Sequence, residues 1–359
     1  MKKIILAILS VLRLVSCKQS EKKNDLTEEN LKGKVKSIKE TTYEAVEKFG
    51  QIEKGDALYD DDAFPFTIYN EKGNKIEEYW YNSDGSLLYK STYKYDEKGN
   101  NIEVNDYHSN GSLLDKSTYK YDENGNNIEE NSYSSDGRLS HKITYKYDEN
   151  GNKIEKNWYN SDGSLLDKYT YKYDENGNNI EECWYDEDGS LHKKFTYKYD
   201  EKGNKIEEKY NSNSRFDYKN TYKYDEKGNI IEDNIYNFDG RFDSKTTYKY
   251  DEKGNKIEEN SYDSDGRLHS KYTYKYDEKG NKIEENWYDS DGRLDSKYTY
   301  KYDEKGNNIE ENYYNSNGRL YEKHTYKYEY DKNNNWTQRI EYKNTIPHRI
   351  TERIIEYYP

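Results

Sequence analysis

The sequence predicts an all-β chain. It reads as a long antiparallel meander of about twenty short strands in 26-residue two-hairpin repeats, forming one twisted and coiled sheet. Three observations predict this. First, a glycine recurs at Gly73, Gly99, Gly125, Gly151, Gly177, Gly203, Gly228, Gly254, Gly280 and Gly306, in steps of 26 residues except for 25 between Gly203 and Gly228. A fixed period of this size marks a stacked repeat architecture. Second, each period holds two turn signals, Asp-Glu-Lys/Asn-Gly-Asn and Asn/Asp-Ser-Asp-Gly. Third, the segments between turns are rich in Tyr, Thr and Ile and alternate in polarity, as paired antiparallel strands do.

In chain order, residues 1–17 read as a secretory signal: Met1-Lys2-Lys3, an apolar run from Ile4 to Leu12, then Leu14-Val15-Ser16-Cys17. The run is too short to span a bilayer. Leu14-Val15-Ser16-Cys17 resembles the lipobox of bacterial lipoproteins. That resemblance implies cleavage before Cys17 and acylation of its sulfur and new amino group. Residues 18–31 are polar and aperiodic and read as a flexible tether. Residues 32–65 read as a first strand, from Lys34 to Tyr43, followed by an irregular acidic lead-in. Residues 66–336 carry the repeats, and 337–359 read as capping strands. In those last strands Arg349, Glu352 and Arg353 are expected to guard an open edge.

The faces of the strands follow from alternation. In Leu294–Tyr302 the even positions are Leu294, Ser296, Tyr298, Tyr300 and Tyr302, and the odd positions are Asp295, Lys297, Thr299 and Lys301. One face is therefore aromatic and the other wet. In the shorter strand, a loop at Asp277–Gly280 would pair Tyr276 with Asn281 and Tyr274 with Ile283, setting Glu284 opposite Thr273. A loop at Ser290–Gly292 would pair Tyr288 with Leu294. Ile283 and Tyr288 are five apart, so both can face the aromatic side only if one residue bulges between them. The spacing predicts that bulge near Trp80, Trp158, Trp184 and Trp287. It predicts none near Tyr210, where the spacing from Ile206 is four.

Composition narrows the function. The chain has 359 residues and a net charge of −14, with 45 Tyr against 7 Phe and 5 Trp. High charge and few aliphatic residues would suit disorder. The periodic tyrosines argue otherwise, because a phenol ring buries apolar area and keeps its hydroxyl wet. The acidic balance excludes nucleic acid as a partner, since that needs clustered Lys and Arg. Asp-Ser-Asp-Gly fails the calcium-loop pattern: with Gly292 at position 6, Trp287 falls at 1 and Tyr298 at 12. Adjacent carboxylates such as Glu284 and Glu285 point to opposite faces, and the histidines share no repeat offset. The chain therefore reads as non-enzymatic, with no cofactor and no metal. Cys183 stands where other copies carry Asn131, Asn157 or Asn286 and reads as a surface residue. With Cys17 lipidated, no internal disulfide forms.

One slot of the repeat holds Trp80, Trp158, Trp184 and Trp287, and elsewhere Tyr210 and Tyr313, or Asp106, Ser132, Ile235 and Ser261. A position that accepts Asp and Ser is expected to be exposed. Aromatics in a row can stack on sugar rings. Trp80, Trp158, Trp184, Trp287, Tyr210 and Tyr313 are thus the candidate ligand-binding residues.

Tyr300-Lys301-Tyr302-Asp303-Glu304-Lys305-Gly306-Asn307 resembles the Tyr-Asp repeat of Rhs proteins, over roughly residues 66–336. In that family Tyr-x-Tyr-Asp-x-x-Gly-Arg-Leu is typical. Here Asn follows this glycine, and Arg-Leu follows the other one, as at Gly292-Arg293-Leu294. The resemblance implies a long antiparallel strip. The toxin-enclosing role is not expected of so short a repeat region with no effector segment after it. The whole chain also resembles the small repeat lipoproteins of Bacteroidota. The function expected is a lipid-anchored outer-membrane scaffold, on the periplasmic or surface face, for binding or adhesion to a glycan or protein partner. The alternatives are a carbohydrate-binding module and an Rhs-like component of a contact-dependent toxin system.

Overall fold

The computed structural model describes residues 24–58, 66–82, 84–212 and 215–359. After a short helix α1 (Asp25–Glu28) come β1 (Val35–Lys48), β2 (Gln51–Leu58), β3 (Phe66–Tyr69), β4 (Lys75–Tyr81) and β5 (Leu87–Tyr95). Strands β6 to β18 fill residues 101–262. They are followed by β19 (Leu268–Tyr276), β20 (Lys282–Tyr288), β21 (Leu294–Tyr302), β22 (Asn308–Tyr314) and β23 (Leu320–Tyr330). β24 (Trp336–Lys343) and β25 (Ile346–Tyr357) end the series. All pairings are antiparallel, and from β3 to β25 each strand pairs with the next, so the predicted meander is present, with 25 strands among the described residues rather than about twenty.

The sheet is not an open strip. β1 pairs with β25 from Val35–Tyr357 to Glu44–Arg349, and on its other side with β3. The strands β1 and β3 to β25 thus form a closed barrel of 24 strands. β2 lies outside that ring and pairs with the far half of β1. Residues 51–58, expected to be irregular, are this strand. Arg349 and Arg353, expected at an open edge, pair with Glu44 and Glu40 of β1 instead.

The seam of the barrel is narrow. Among the described residues, Ser37–Ile68 and Ile38–Thr67 join β1 to β3. The segment 24–34 straddles it. Asn24 caps α1 and donates from Nδ2 to Lys72 O at 2.8 Å, while the Leu26 amide reaches Gly73 O at 3.2 Å. At the other end, Lys32 N donates to Asn335 Oδ1 at 2.9 Å, and Asn335 Nδ2 returns to Lys32 O at 2.8 Å. Leu26, Val35, Ile38 and Tyr69 bury one another beneath this clasp. Gly73 serves it twice: its φ is +81°, and a Cβ there would sit 2.5 Å from the Asn24 amide. Residues 24–31, read from sequence as tether, are therefore docked on the sheet.

Each repeat residue has an identifiable structural part. In the turn after β19, Asp277 Oδ1 accepts from the amides of Lys279 and Asn281, both at 2.9 Å. Asn281 Nδ2 returns to Asp277 Oδ2 at 2.8 Å, and Gly280 supplies the left-handed corner with φ +89°. Such side-chain turns are what Asp, Asn and Gly do best.

The register differs from the sequence reading. Tyr276 pairs with Lys282, Tyr274 with Glu285, Lys275 with Glu284 and Thr273 with Asn286. Ile283 is the extra residue, bulged at the strand's start and left out of the ladder. From Glu284 to Tyr288 the ladder is unbroken. Tyr288 does pair with Leu294, but on the lysine face, also opposite Lys271. A second bulge sits on the partner strand at Asp295, and the short repeat has it too, between Tyr210 and Asn211. The parity argument therefore fails: Ile283 and Tyr288 do not share the aromatic face, and the bulge does not distinguish Tyr210. With Ile283 out of the ladder, Glu284 falls on the lysine face, where it meets both Lys275 and Lys297. The Ile283 bulge leaves the carbonyl of Lys282 without a partner on β21, because β20 and β21 pair only from Glu284 onward. The Tyr302 hydroxyl donates to that carbonyl at 3.0 Å, and Tyr276, Tyr224, Tyr199, Tyr173, Tyr147 and Tyr121 make the equivalent bond.

Candidate binding face

The two faces of the barrel wall differ in chemistry. On the lysine face, Glu284 accepts from Lys275 at 2.8 Å, Lys297 at 2.7 Å and Asn286 at 3.1 Å. One carboxylate thus ties three strands. Burial alone would raise its pKa. The hydrogen bonds from Lys275, Lys297 and Asn286 outweigh that and hold it at about 2. Asn286 is 7% exposed, and Asn105, Asn131, Asn157, Asn234, Asn260 and Asn312 are buried alike. The sequence reading missed this row, whose only signal was an Asn recurring between the glutamates and the slot. Cys183 takes the same place and is 4% exposed, so it is not a surface residue. Burial pushes its thiol up, away from the reactive thiolate.

The aromatic face carries the candidate residues. Trp287 pairs with Tyr272, and its ring lies 5.5 Å from those of Tyr272 and Tyr298. Tyr298 continues to Tyr313 at 5.4 Å, and Tyr313 to the ring of His324 at 5.6 Å. A second run joins Tyr169, Trp184, Phe195, Tyr210 and Tyr218, with ring centroids 4.9–5.5 Å apart. Ile235, Thr246 and Ser261 separate the two runs. Trp158 meets His141 at 5.4 Å, and Trp80 stacks on Tyr89 at 5.5 Å. The structure therefore gathers Trp184 with Tyr210, and Trp287 with Tyr313. It leaves Trp80 and Trp158 apart from these runs.

Acids line the rings. Trp184 Nε1 donates to Glu182 at 2.5 Å, Trp287 Nε1 to Glu285 at 2.7 Å and the Tyr313 hydroxyl to Glu311 at 2.7 Å. The Tyr300 phenol, partly buried and near Glu285 and Glu311, is pushed up to about 12 and stays neutral. Trp287 remains 38% exposed. The face is thus a half-buried aromatic platform with fixed carboxylate acceptors, suited to stacking and hydrogen bonding rather than to proton transfer. Among the described residues no cluster of His, Cys, Asp and Glu could hold a metal ion. Cys17 lies outside the described residues.

No family model and no characterised protein matches the sequence. Among solved structures, the chain is similar to the Tc holotoxin pore of Photorhabdus luminescens carrying a TccC3 mutation. The identity is 12% and the TM-score 0.35, over 81% of this chain and 20% of that one. A crystal structure of TcdB2-TccC3 without its hypervariable C-terminal region gives 12% identity and TM-score 0.31, over 79% and 19%. A porin-like protein from Bacteroides uniformis gives 12% identity and TM-score 0.27, over 90% and 98%. The chain spans about a fifth of the toxin chains that it matches.

Proposed function

We propose that this chain is a non-enzymatic binding scaffold, exported and lipid-anchored at Cys17 to the outer membrane, whose aromatic face meets a surface glycan or protein partner. The observation that carries the reading is the pair of continuous aromatic runs around Trp184–Tyr210 and Trp287–Tyr313. The repeat's Asp, Asn, Gly, Thr, Lys and Glu residues are committed to turns and cross-strand bonds. That leaves the aromatic slot and its cross-strand neighbours, such as Ile143, Phe195, Tyr298 and His324, as variable positions of the repeat.

A closed β-barrel is compatible with an outer-membrane or surface protein. A spanning barrel needs an outward apolar band. Here one face carries Lys-Glu-Lys ladders and the other sets Glu182, Glu285 and Lys282 among its rings. We therefore assign attachment to a lipid at Cys17.

A glycan partner is favoured over a protein by the carboxylates at the ring edges, which can accept sugar hydroxyls beside a stacking surface. Radiolabelled palmitate is expected to enter the wild type and not Cys17→Ala, and equal labelling would remove the anchor from the account. On an immobilised oligosaccharide panel the full chain is expected to be retained. Retention by no glycan would leave only the protein partner.

A further inference from the structure

Trp80 differs from the other slot residues, and the barrel seam is the reason. Trp287 has aromatic neighbours on both flanking strands. Trp80 stacks on Tyr89 of β5, and on its other side the described part of β3 begins at Phe66, opposite Tyr79. Among the described residues nothing pairs with Trp80 from β3. It lines a cavity of about 450 Å³ together with Glu29, Leu31, Ile38, Glu40, Thr67, Lys75, Glu78 and Arg353. Glu29 and Leu31 belong to the clasp, which roofs the cavity over the aromatic face. The volume is in the range of small-molecule sites.

The lining chemistry restricts the ligand. At one end, Arg353 donates to Glu40 at 2.6 Å and lies over the Trp336 ring at 3.4 Å. At the other, Lys75 is shared between Glu29 and Glu78, each at 2.9 Å. Glu78 also accepts from the Tyr93 hydroxyl, and Glu29 from that of Tyr69. Each end is an ion pair with both donors and acceptors fixed in place. Three carboxylates against two cations leave no positive charge to attract an anion. Between the ends lie Leu31, Ile38 and the flank of Trp80. Neutral hydroxyls can add to such ion pairs without breaking them, whereas a phosphate or carboxylate would face uncompensated acids.

We infer that this seam cavity is a binding site for the end of a neutral oligosaccharide. One or two sugar rings pack against Trp80, with their hydroxyls on the Lys75–Glu78 and Arg353–Glu40 pairs. The inference rests on the glycan reading above and names a site beside the aromatic runs where the end of that glycan is held.

The test uses the full chain and a panel of neutral and phosphorylated oligosaccharides, with calorimetric titration of the best neutral one. Trp80→Ala is expected to weaken binding at least tenfold, and Trp80→Phe to recover most of it. Trp287→Ala, in the middle of a run, is expected to weaken it by less than Trp80→Ala does, and Lys301→Ala, on the lysine face, to leave it within twofold of the wild type. Circular dichroism of each variant checks that the barrel is intact. Full binding by folded Trp80→Ala, with loss in Trp287→Ala, would overturn the seam site and leave the glycan reading standing. Preference for the phosphorylated sugars would also overturn it. Absence of binding to every oligosaccharide would remove both.

Discussion

Acid is expected to unfold the barrel cooperatively as pH falls from about 4.5 toward 2. Burial would raise the Glu284 pKa, but hydrogen bonds from Lys275, Lys297 and Asn286 hold it at about 2. Glu103, Glu129, Glu155, Glu258 and Glu310 sit in the same place in their repeats and are held at about 2 as well. An unfolded glutamate takes up its proton near 4.5, its ordinary value. Between these limits the unfolded chain binds more protons than the barrel, so stability falls with pH. It is complete above the unfolded value and lost as pH drops through the folded one. Single sites such as Glu284→Gln remove one bridge of many, so the transition shifts only slightly for each. Far-UV circular dichroism against pH reads this directly. A signal unchanged down to pH 2 would mean that the lysine ladders contribute nothing to the fold.

Tyr300→Ala is expected to cost about 3 kcal/mol, near the lower end for truncation of a large aromatic. Tyr300 lies directly opposite Glu311 and next to the Trp287–Tyr298 contact, on the face where the barrel has rings instead of an aliphatic core. Lys301→Ala, one residue on, is expected to cost under about 1 kcal/mol. Its side chain is 65% exposed, and its pair with Glu310 at 2.7 Å is open to solvent. Denaturant titration of both variants gives the comparison. A larger cost at Lys301 would place the stability on the lysine face.

Much of this architecture was legible in the sequence because it is local. The 26-residue period, the Asp–Gly–Asn turns and the alternation of Tyr with Lys and Thr each depend on a few neighbouring residues. The short strand was misread for a definite reason. Ile283 looks like a ladder residue by its side chain, yet the backbone expels it and uses the Tyr302 hydroxyl to repair the carbonyl beside the bulge. Parity counted from Ile283 was therefore off by one, which set Tyr288 on the wrong face. Asn286 read as polar and hence wet, although it sits buried among Glu284, Thr273 and the lysine stems.

Closure could not be read at all. It depends on β1, which is outside the repeat, meeting β25 and β3 more than 300 and about 30 residues away along the chain. The cavity that Trp80 lines, with Ile38 and Glu40 of β1, Thr67 of β3 and Arg353 of β25, is a consequence of that seam. Of the six candidate aromatics, the pattern identified the slot, and only the closed sheet distinguishes Trp80 from the rest.

The closed seam is therefore the claim on which the account turns, and one distance tests it. Spin labels at Glu71 and Lys332, both exposed turn residues, flank the seam. In the barrel β3, β1, β25 and β24 lie between them, a span of ~20 Å at the usual strand spacing. Along an open strip the twenty strands β4 to β23 would separate them by ~95 Å. Double electron–electron resonance on the doubly labelled chain is expected to give a narrow distribution near the shorter distance. A sample with no dipolar coupling in the measurable range would contradict the closed barrel.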